Sequence, residues 1–262
     1  MKKWINGLFN NTTVNGVNVV NGVSSVNGNT NEINMEENQT VEVKGIAMID
    51  IDASFVDVTL LPSNDEEIHV RFYAKGNSNL TQEEFASLLT IKKEQDTLHI
   101  FIKSANVSIM NGKCFMTIQL PNKVYSKLSH KSSSGDITLK DMKFENGQLS
   151  TMSGDIEANQ LYIASAFDLS TMSGDITLEK VSMDSLEEQS FFKNMTPNEQ
   201  DVKHEIKMKT MSGDISLKLE HKAGYHAKTS SMSGDVRTIG KQSLEGVKVT
   251  ANTMSGDIFI QN

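Results

Sequence analysis

From Thr40 onward, apolar and polar residues alternate with a period of two, in short runs separated by turn residues. Thr40-Val-Glu-Val43, Ala47-Met-Ile-Asp-Ile-Asp52, Phe55-Val-Asp-Val-Thr-Leu-Leu61 and Glu67-Ile-His-Val-Arg-Phe-Tyr73 follow this pattern, and Pro62-Ser-Asn-Asp65 supplies the turn between the last two. Such alternation predicts half-buried strands. One segment departs from it. Thr81-Gln-Glu-Glu84 is a capping box, which predicts a short helix running through Leu89 with Phe85 and Leu88 on its inner face. Strands resume around Leu98–Ile102 and Phe115–Leu120, and Pro121-Asn122 leads out of this block.

From about Val124 a second, longer period is laid over the alternation. Ser-Gly-Asp recurs at Ser134, Ser153, Ser173, Ser212, Ser233 and Ser255, in steps of 19, 20, 39, 21 and 22 residues. Five copies carry Met immediately before (Met152, Met172, Met211, Met232 and Met254), and every copy is followed by Ile or Val. Around the third copy Leu169 and Thr171 share one parity, whereas Met172, Gly174, Ile176 and Leu178 share the other. The strand therefore changes face at the motif, where the chain turns a corner or bulges. A repeat of about 20 residues is too short for a strand–helix–strand unit, which needs roughly 30. It fits one coil of a parallel β-solenoid, a β-helix or prism, with two or three strands per turn.

This reading divides the chain into three parts. Residues 1–40 are an Asn/Gly-rich leader in which Val-Asn-Gly recurs at Val14, Val20 and Val26; short hairpins and a flexible polar segment suit it equally. Residues 41–123 form a β-rich capping part, and residues 124–262 form the solenoid. The 39-residue step holds an insertion at about 181–204, with a second capping box at Ser185-Leu-Glu-Glu188 and the pair Phe191 and Phe192. Insertions in solenoids map to one face, often the binding face, so Phe191 and Phe192 are candidate partner contacts. Phe259 is a third, because the sixth motif ends only five residues before the last residue and the final coil is expected to present an unpaired edge. That edge predicts homotypic end-to-end association.

The motif itself reads as turn chemistry. Gly135, Gly154, Gly174, Gly213, Gly234 and Gly256 are expected at corners whose backbone conformation excludes side chains. The aspartates are expected to stack, with Asp136, Asp155 and Asp175 in one column and Asp214, Asp235 and Asp257 in a second beyond the long step. Neighbouring carboxylates about 5 Å apart repel by ~1 kcal/mol in water and ~3 at intermediate dielectric. Backbone amides would hold that charge, or calcium would bridge it, which makes these six acids weak calcium candidates.

Composition narrows the function. A net charge of −8 with only two arginines, Arg71 and Arg237, leaves no basic face and argues against nucleic acid. The single cysteine, Cys114, rules out an internal disulfide and reads as a small strand residue. No run approaches the length of a membrane span. Lys2 and Lys3 resemble the start of a signal peptide, but Asn6 and Gly7 interrupt it and no apolar core follows, so a cytoplasmic chain is expected. Trp4, Ile5, Leu8 and Phe9 at helical spacing allow a weak peripheral membrane contact through Trp4. The six histidines show no metal spacing, and neither a nucleophile elbow nor a phosphate loop occurs. No cofactor, no resident metal and no catalysis are expected.

From roughly Val41 to Asn262 the chain resembles the bacterial putative-adhesin domain family, of unknown function. Early strands such as Ile49-Asp-Ile-Asp-Ala-Ser-Phe-Val-Asp-Val58 and the repeats at Ser134, Ser153 and Ser173 carry the resemblance. It implies a parallel β-solenoid at or near the cell envelope, sometimes beside stress-sensing systems, and supplies no catalytic residues. A non-enzymatic structural or interaction protein is the resulting expectation, with a protein or envelope component as partner. A carbohydrate-binding or polysaccharide-acting β-helix is the alternative.

Overall fold

A computed structural model describes residues 11–14, 17–20, 32–103, 107, 109–183, 204–221 and 224–262. The fold is all-β and mostly parallel, with one five-residue helix among the described residues. Two sheets run along the stack. The first contains β4 (Met48–Asp52), β10 (Tyr125–Lys131), the second halves of β11 (Ile137–Ser150) and β12 (Ile156–Ser170), then β14 (Glu205–Lys209), β18 (Val247–Ser255) and β16 (Tyr225–Ser233). The second contains β5 (Asp57–Pro62), the first halves of β11 and β12, then β13 (Ile176–Ser182), β15 (Ile215–Leu219), β19 (Ile258–Gln261) and β17 (Val236–Ile239). A Ser-Gly-Asp corner joins the two sheets in six of the coils. A second bend falls at Asp141, Gln160 and Lys180, which take left-handed φ values of 51°, 58° and 55° at equivalent positions of consecutive coils.

The alternation read from the sequence becomes columns that run between the sheets. Val58, Ile137, Ile156, Ile176, Ile215, Ile258 and Val236 form one, each opposite the next. All but Val236 are at most 1% exposed. No single coil shields its own apolar face, so stability comes from stacking. Tyr125, Phe144 and Phe167 pack in series through the same interior as tilted pairs, with ring centroids 6.2 and 6.3 Å apart. One column contains a residue that the pattern did not single out. Ile51, His130 and Leu149 are adjacent in it, and His130 is fully buried.

The N-terminal end is closed by antiparallel strands. β8 (Thr97–Ile102) continues the first sheet in parallel beyond β4, and β7 (Leu89–Glu94) then turns it antiparallel. β9 (Ile109–Leu120) continues the second sheet, followed by antiparallel β6 (Glu67–Ser78), β3 (Glu32–Glu42), β2 (Val17–Val20) and β1 (Asn11–Val14). β3 begins before the first run recognised by alternation, and its Ile33 and Met35 are buried in the core. The capping box is present: Thr81 Oγ1 accepts from the Glu84 amide at 3.3 Å, and the Glu84 carboxylate accepts from the Thr81 amide at 2.9 Å. The helix it opens, α1 (Gln82–Ala86), stops short of Leu89, because β7 takes that residue into the sheet. Phe85 stacks on Phe72 at 5.9 Å, which fixes α1 to the core.

Two sequence expectations are corrected by the stacking order. β14 and β15 are followed by β18 and β19, and only then by β16 and β17. The sixth motif is thus internal, and the fifth forms the end of the stack. The unpaired edge belongs to β16 and β17, not to Ile258–Asn262. Phe259 lies half-buried on an internal strand between Ser216 and Arg237. The long step does not interrupt the solenoid either, because β13 pairs directly with β15 and β12 with β14. Phe191, Phe192, the Ser185 box and Trp4 lie outside the described residues.

Candidate functional site

The repeated corner is a five-residue device, Thr/Ser-x-Ser-Gly-Asp, and each position has its own physical task. The first is a buried hydroxyl. Thr171 Oγ1 donates to Gly154 O of the preceding coil at 3.2 Å and accepts from the Gly174 amide of its own at 3.0 Å. Thr151 repeats both contacts, at 3.5 Å to Gly135 O and 3.1 Å from the Gly154 amide. Thr210 and Thr253 donate in the same way to Gly174 O and Gly213 O, both at 3.1 Å. Sequence reading missed this column, although a hydroxyl stands two residues before every Ser-Gly-Asp. Replacing Thr171 by valine keeps the shape and strands two buried backbone groups, each costing ~1–3 kcal/mol. We expect a loss of about 3 kcal/mol by urea denaturation; an unchanged midpoint would mean the hydroxyl is dispensable.

Glycine occupies the fourth position because neighbouring coils nearly touch there. A Cβ on Gly135 would lie 2.0 Å from Val56 O, on Gly154 2.2 Å from Gly135 O, on Gly174 2.0 Å from Gly154 O, and on Gly213 2.1 Å from Gly174 O. Close approach, not a forbidden backbone conformation, explains these four. Only Gly234 and Gly256, both at φ 154°, also need the conformational freedom that the sequence led us to expect throughout.

The aspartates form one column, not two. Asp136 N donates to Asp57 Oδ1 at 3.1 Å, Asp155 N to Asp136 Oδ1 at 2.9 Å, and Asp175 N to Asp155 Oδ1 at 2.8 Å. The series continues with Asp214 on Asp175 at 2.8 Å, Asp257 on Asp214 at 2.7 Å and Asp235 on Asp257 at 2.8 Å. Every carboxylate but that of Asp235, which ends the column, accepts the amide of the next coil's aspartate, which compensates the charge of an otherwise repulsive stack. Asp57 starts the column from the part expected to be only a cap. Its corner, Ala53-Ser-Phe-Val-Asp57, lacks Ser-Gly and so escaped the motif. Still, Ser54 O accepts the amides of Ser133 and Ser134 at 2.8 and 2.9 Å, as Met152 O accepts those of Met172 and Ser173.

The second position faces solvent. Met152, Met172, Met211, Met254 and Met232 follow one another along the edge and are 53, 45, 45, 49 and 78% exposed. They share parity with the buried Ile that follows, yet two successive outward residues at the corner bring them to the surface.

At the open end, β16 has β18 on one side and β17 has β19 on one side; among the described residues no strand lies on the other. The inward residues of this coil are Ala227, Thr229, Val236 and Thr238, smaller or more polar than the Val249, Ala251, Ile258 and Ile260 they face. All four residues of β17 are exposed. Loop residues cover only the start of β16, where Lys241 O and the Ser243 amide bond Tyr225.

Other chemistry-bearing groups have local explanations. Asp65, Glu67 and His69 are the one cluster of metal-ligand type among the described residues. The Glu67 amide, the Ser63 hydroxyl and His69 hold the Asp65 carboxyl at about 2, which is a turn network rather than a bound ion's signature. Burial, with the Asp57 charge second, pushes the Cys114 thiol up to about 12, which disfavours the thiolate.

A family profile described as Toastrack DUF4097 matches residues 46–262. A putative cell adhesion protein from Clostridium sporogenes ATCC 15579 is similar in structure, at 17% identity and a TM-score of 0.51, over 87% of this chain and 99% of that one. A putative adhesin from Bacteroides fragilis NCTC 9343 aligns at 13% identity with a TM-score of 0.45, over 86 and 96% of the two chains. A putative lipid binding protein from Parabacteroides distasonis ATCC 8503 aligns at 14% identity with a TM-score of 0.40, over 90 and 98%. No curated protein matches the chain significantly. Identities this low bear on the fold alone.

Proposed function

The chain belongs to the Toastrack DUF4097 family, and from that premise we propose that it is a non-enzymatic, adhesin-like interaction protein of the bacterial cell envelope. The observation that carries this reading is the open terminal coil of β16 and β17, two adjacent strand edges on whose outer side no strand pairs among the described residues. Exposed edges recruit further strands. The opposite end is closed by antiparallel β7 and by β6, β3, β2 and β1, so coils cannot continue head to tail. A second copy is the partner that fits, joined open end to open end about a two-fold axis, a contact that closes on itself as a dimer. The rest of the surface, with its hydrogen-bonded aspartate column, is a rigid spacer displaying whatever lies outside this contact.

Light scattering is the first test, with a dimer expected at micromolar concentration. Asp235 O and Ile239 O accept the amides of Ile258 and Asn262, so the alternate residue Thr238 points its amide away from β19. Thr238→Pro should therefore give a monomer with nearly unchanged melting. A wild type that stays monomeric at all concentrations would overturn the homotypic contact. Cell fractionation tests the compartment: peripheral envelope association is expected, and a wholly soluble cytoplasmic pool would remove the envelope role.

A further inference from the structure

The exposed methionines are unusual in being both aligned and chemically uniform. Met35, Met116, Met142, Met183 and Met208 are buried and Met48 is half-buried, whereas the five motif methionines stand 45–78% exposed. The corner backbone sets their register. Met172 N donates to Met152 O and Met211 N to Met172 O, each at 3.2 Å; Ser255 N donates to Met211 O at 2.9 Å, and Ser231 and Ser233 face Thr253 and Ser255 around Met232 and Met254. Successive methionine backbones are thus set at the interstrand repeat of about 4.8 Å, within reach of one another's thioethers. Two collinear metal–sulfur bonds of about 2.3 Å span nearly the same distance.

Thioether sulfur is a soft ligand that selects Cu(I) over hard cations. Three residues further on, each corner adds an exposed aspartate to the same edge, while the corner carries no basic residue. The local field therefore concentrates cations. An apolar docking strip would accept Leu or Ile at some copies, but none of the five uses either.

We propose that the methionine column binds soft monovalent metal, Cu(I), between thioethers of adjacent coils. Five sulfurs make two separate pairs, so two ions per chain are expected. The pairs Met152–Met172 and Met211–Met254 lie on internal coils, and the open terminal coil contributes only Met232, so this inference stands or falls independently of the dimer.

The test uses the full chain carrying Cys114→Ser, which removes the competing thiol, with methionine methyl groups labelled with carbon-13. Titration with Ag(I), a redox-inert stand-in, should shift the methyl resonances of Met152, Met172, Met211, Met232 and Met254 and leave those of buried Met116, Met142 and Met208 in place. Anaerobic competition against a chromophoric Cu(I) chelator should show two ions bound. Replacing all five by leucine should reduce this at least tenfold while circular dichroism and melting remain those of the parent. Unshifted exposed methyls at tenfold excess Ag(I), or Cu(I) binding retained by the leucine variant, would overturn the proposal. The methyl titration decides even if the five-fold variant fails to fold.

Discussion

Gly174→Ala is expected to destabilise the solenoid severely. The added methyl would lie 2.0 Å from Gly154 O, where ordinary contact begins near 3.4 Å. The obstacle is a backbone carbonyl held by the Thr171 hydroxyl, so no side chain can swing aside. Relief requires separating two coils by more than an ångström, which stretches the ladder joining Ile156 to Ile176 and Asp155 to Asp175. We expect a cost above about 4 kcal/mol, in the range reserved for severe overpacking and broken networks, out of a total stability of about 5–15 kcal/mol. Ser173→Ala, one residue away and exposed, is the control and should change stability by about 0.5 kcal/mol or less. Equilibrium denaturation compares the two. If both keep the wild-type midpoint, the close approach of the coils is not real.

Between pH 6.5 and about 4, His130 should make acid destabilise this protein. Burial lowers the His130 imidazole from 6.5 to about 4, against a smaller opposing pull from the Asp50 charge. Above pH 6.5 the imidazole is neutral in both folded and unfolded chains, and the residue adds no pH dependence. As pH falls from 6.5 to about 4 the unfolded chain takes up a proton that the folded chain refuses, so stability declines, by about 3 kcal/mol in all. His130→Leu should remove that decline and extend the apolar column between Ile51 and Leu149. The measurement is the urea midpoint of both proteins at pH 7.5, 5.5 and 4.5. Equal loss on acidification in both would assign the acid response to other groups.

The repeat made the coil legible in the sequence, because alternation fixed strand faces and the spacing fixed coil length. What stayed illegible was non-local. Asp57 belongs to the aspartate column through the hydrogen bond it accepts from Asp136, not through any Ser-Gly beside it. The corner threonines share parity with the core residues before them, which hid their bonding to glycine backbone. Parity grouped Met172 with Ile176 and Leu178, since a period-two rule cannot register two successive outward residues. The order of the last two coils leaves no trace in their spacing of 22 residues, because either coil could cover the fourth. The inward residues hold the only clue: Thr229 and Thr238 suit a half-open end better than Ala251 and Ile260 do.

The inverted order of the last two coils also constrains how the protein is made. Strands β16 and β17 leave the ribosome before β18 and β19, yet their only seat is on β18 and β19. Growth of the stack during translation can proceed coil by coil as far as β15 and must then wait. At about 5–20 residues per second, the chain from Gly224 to Asn262 spends a few seconds with an incomplete stack. The last strands act as a keystone, set in place between two parts already synthesised.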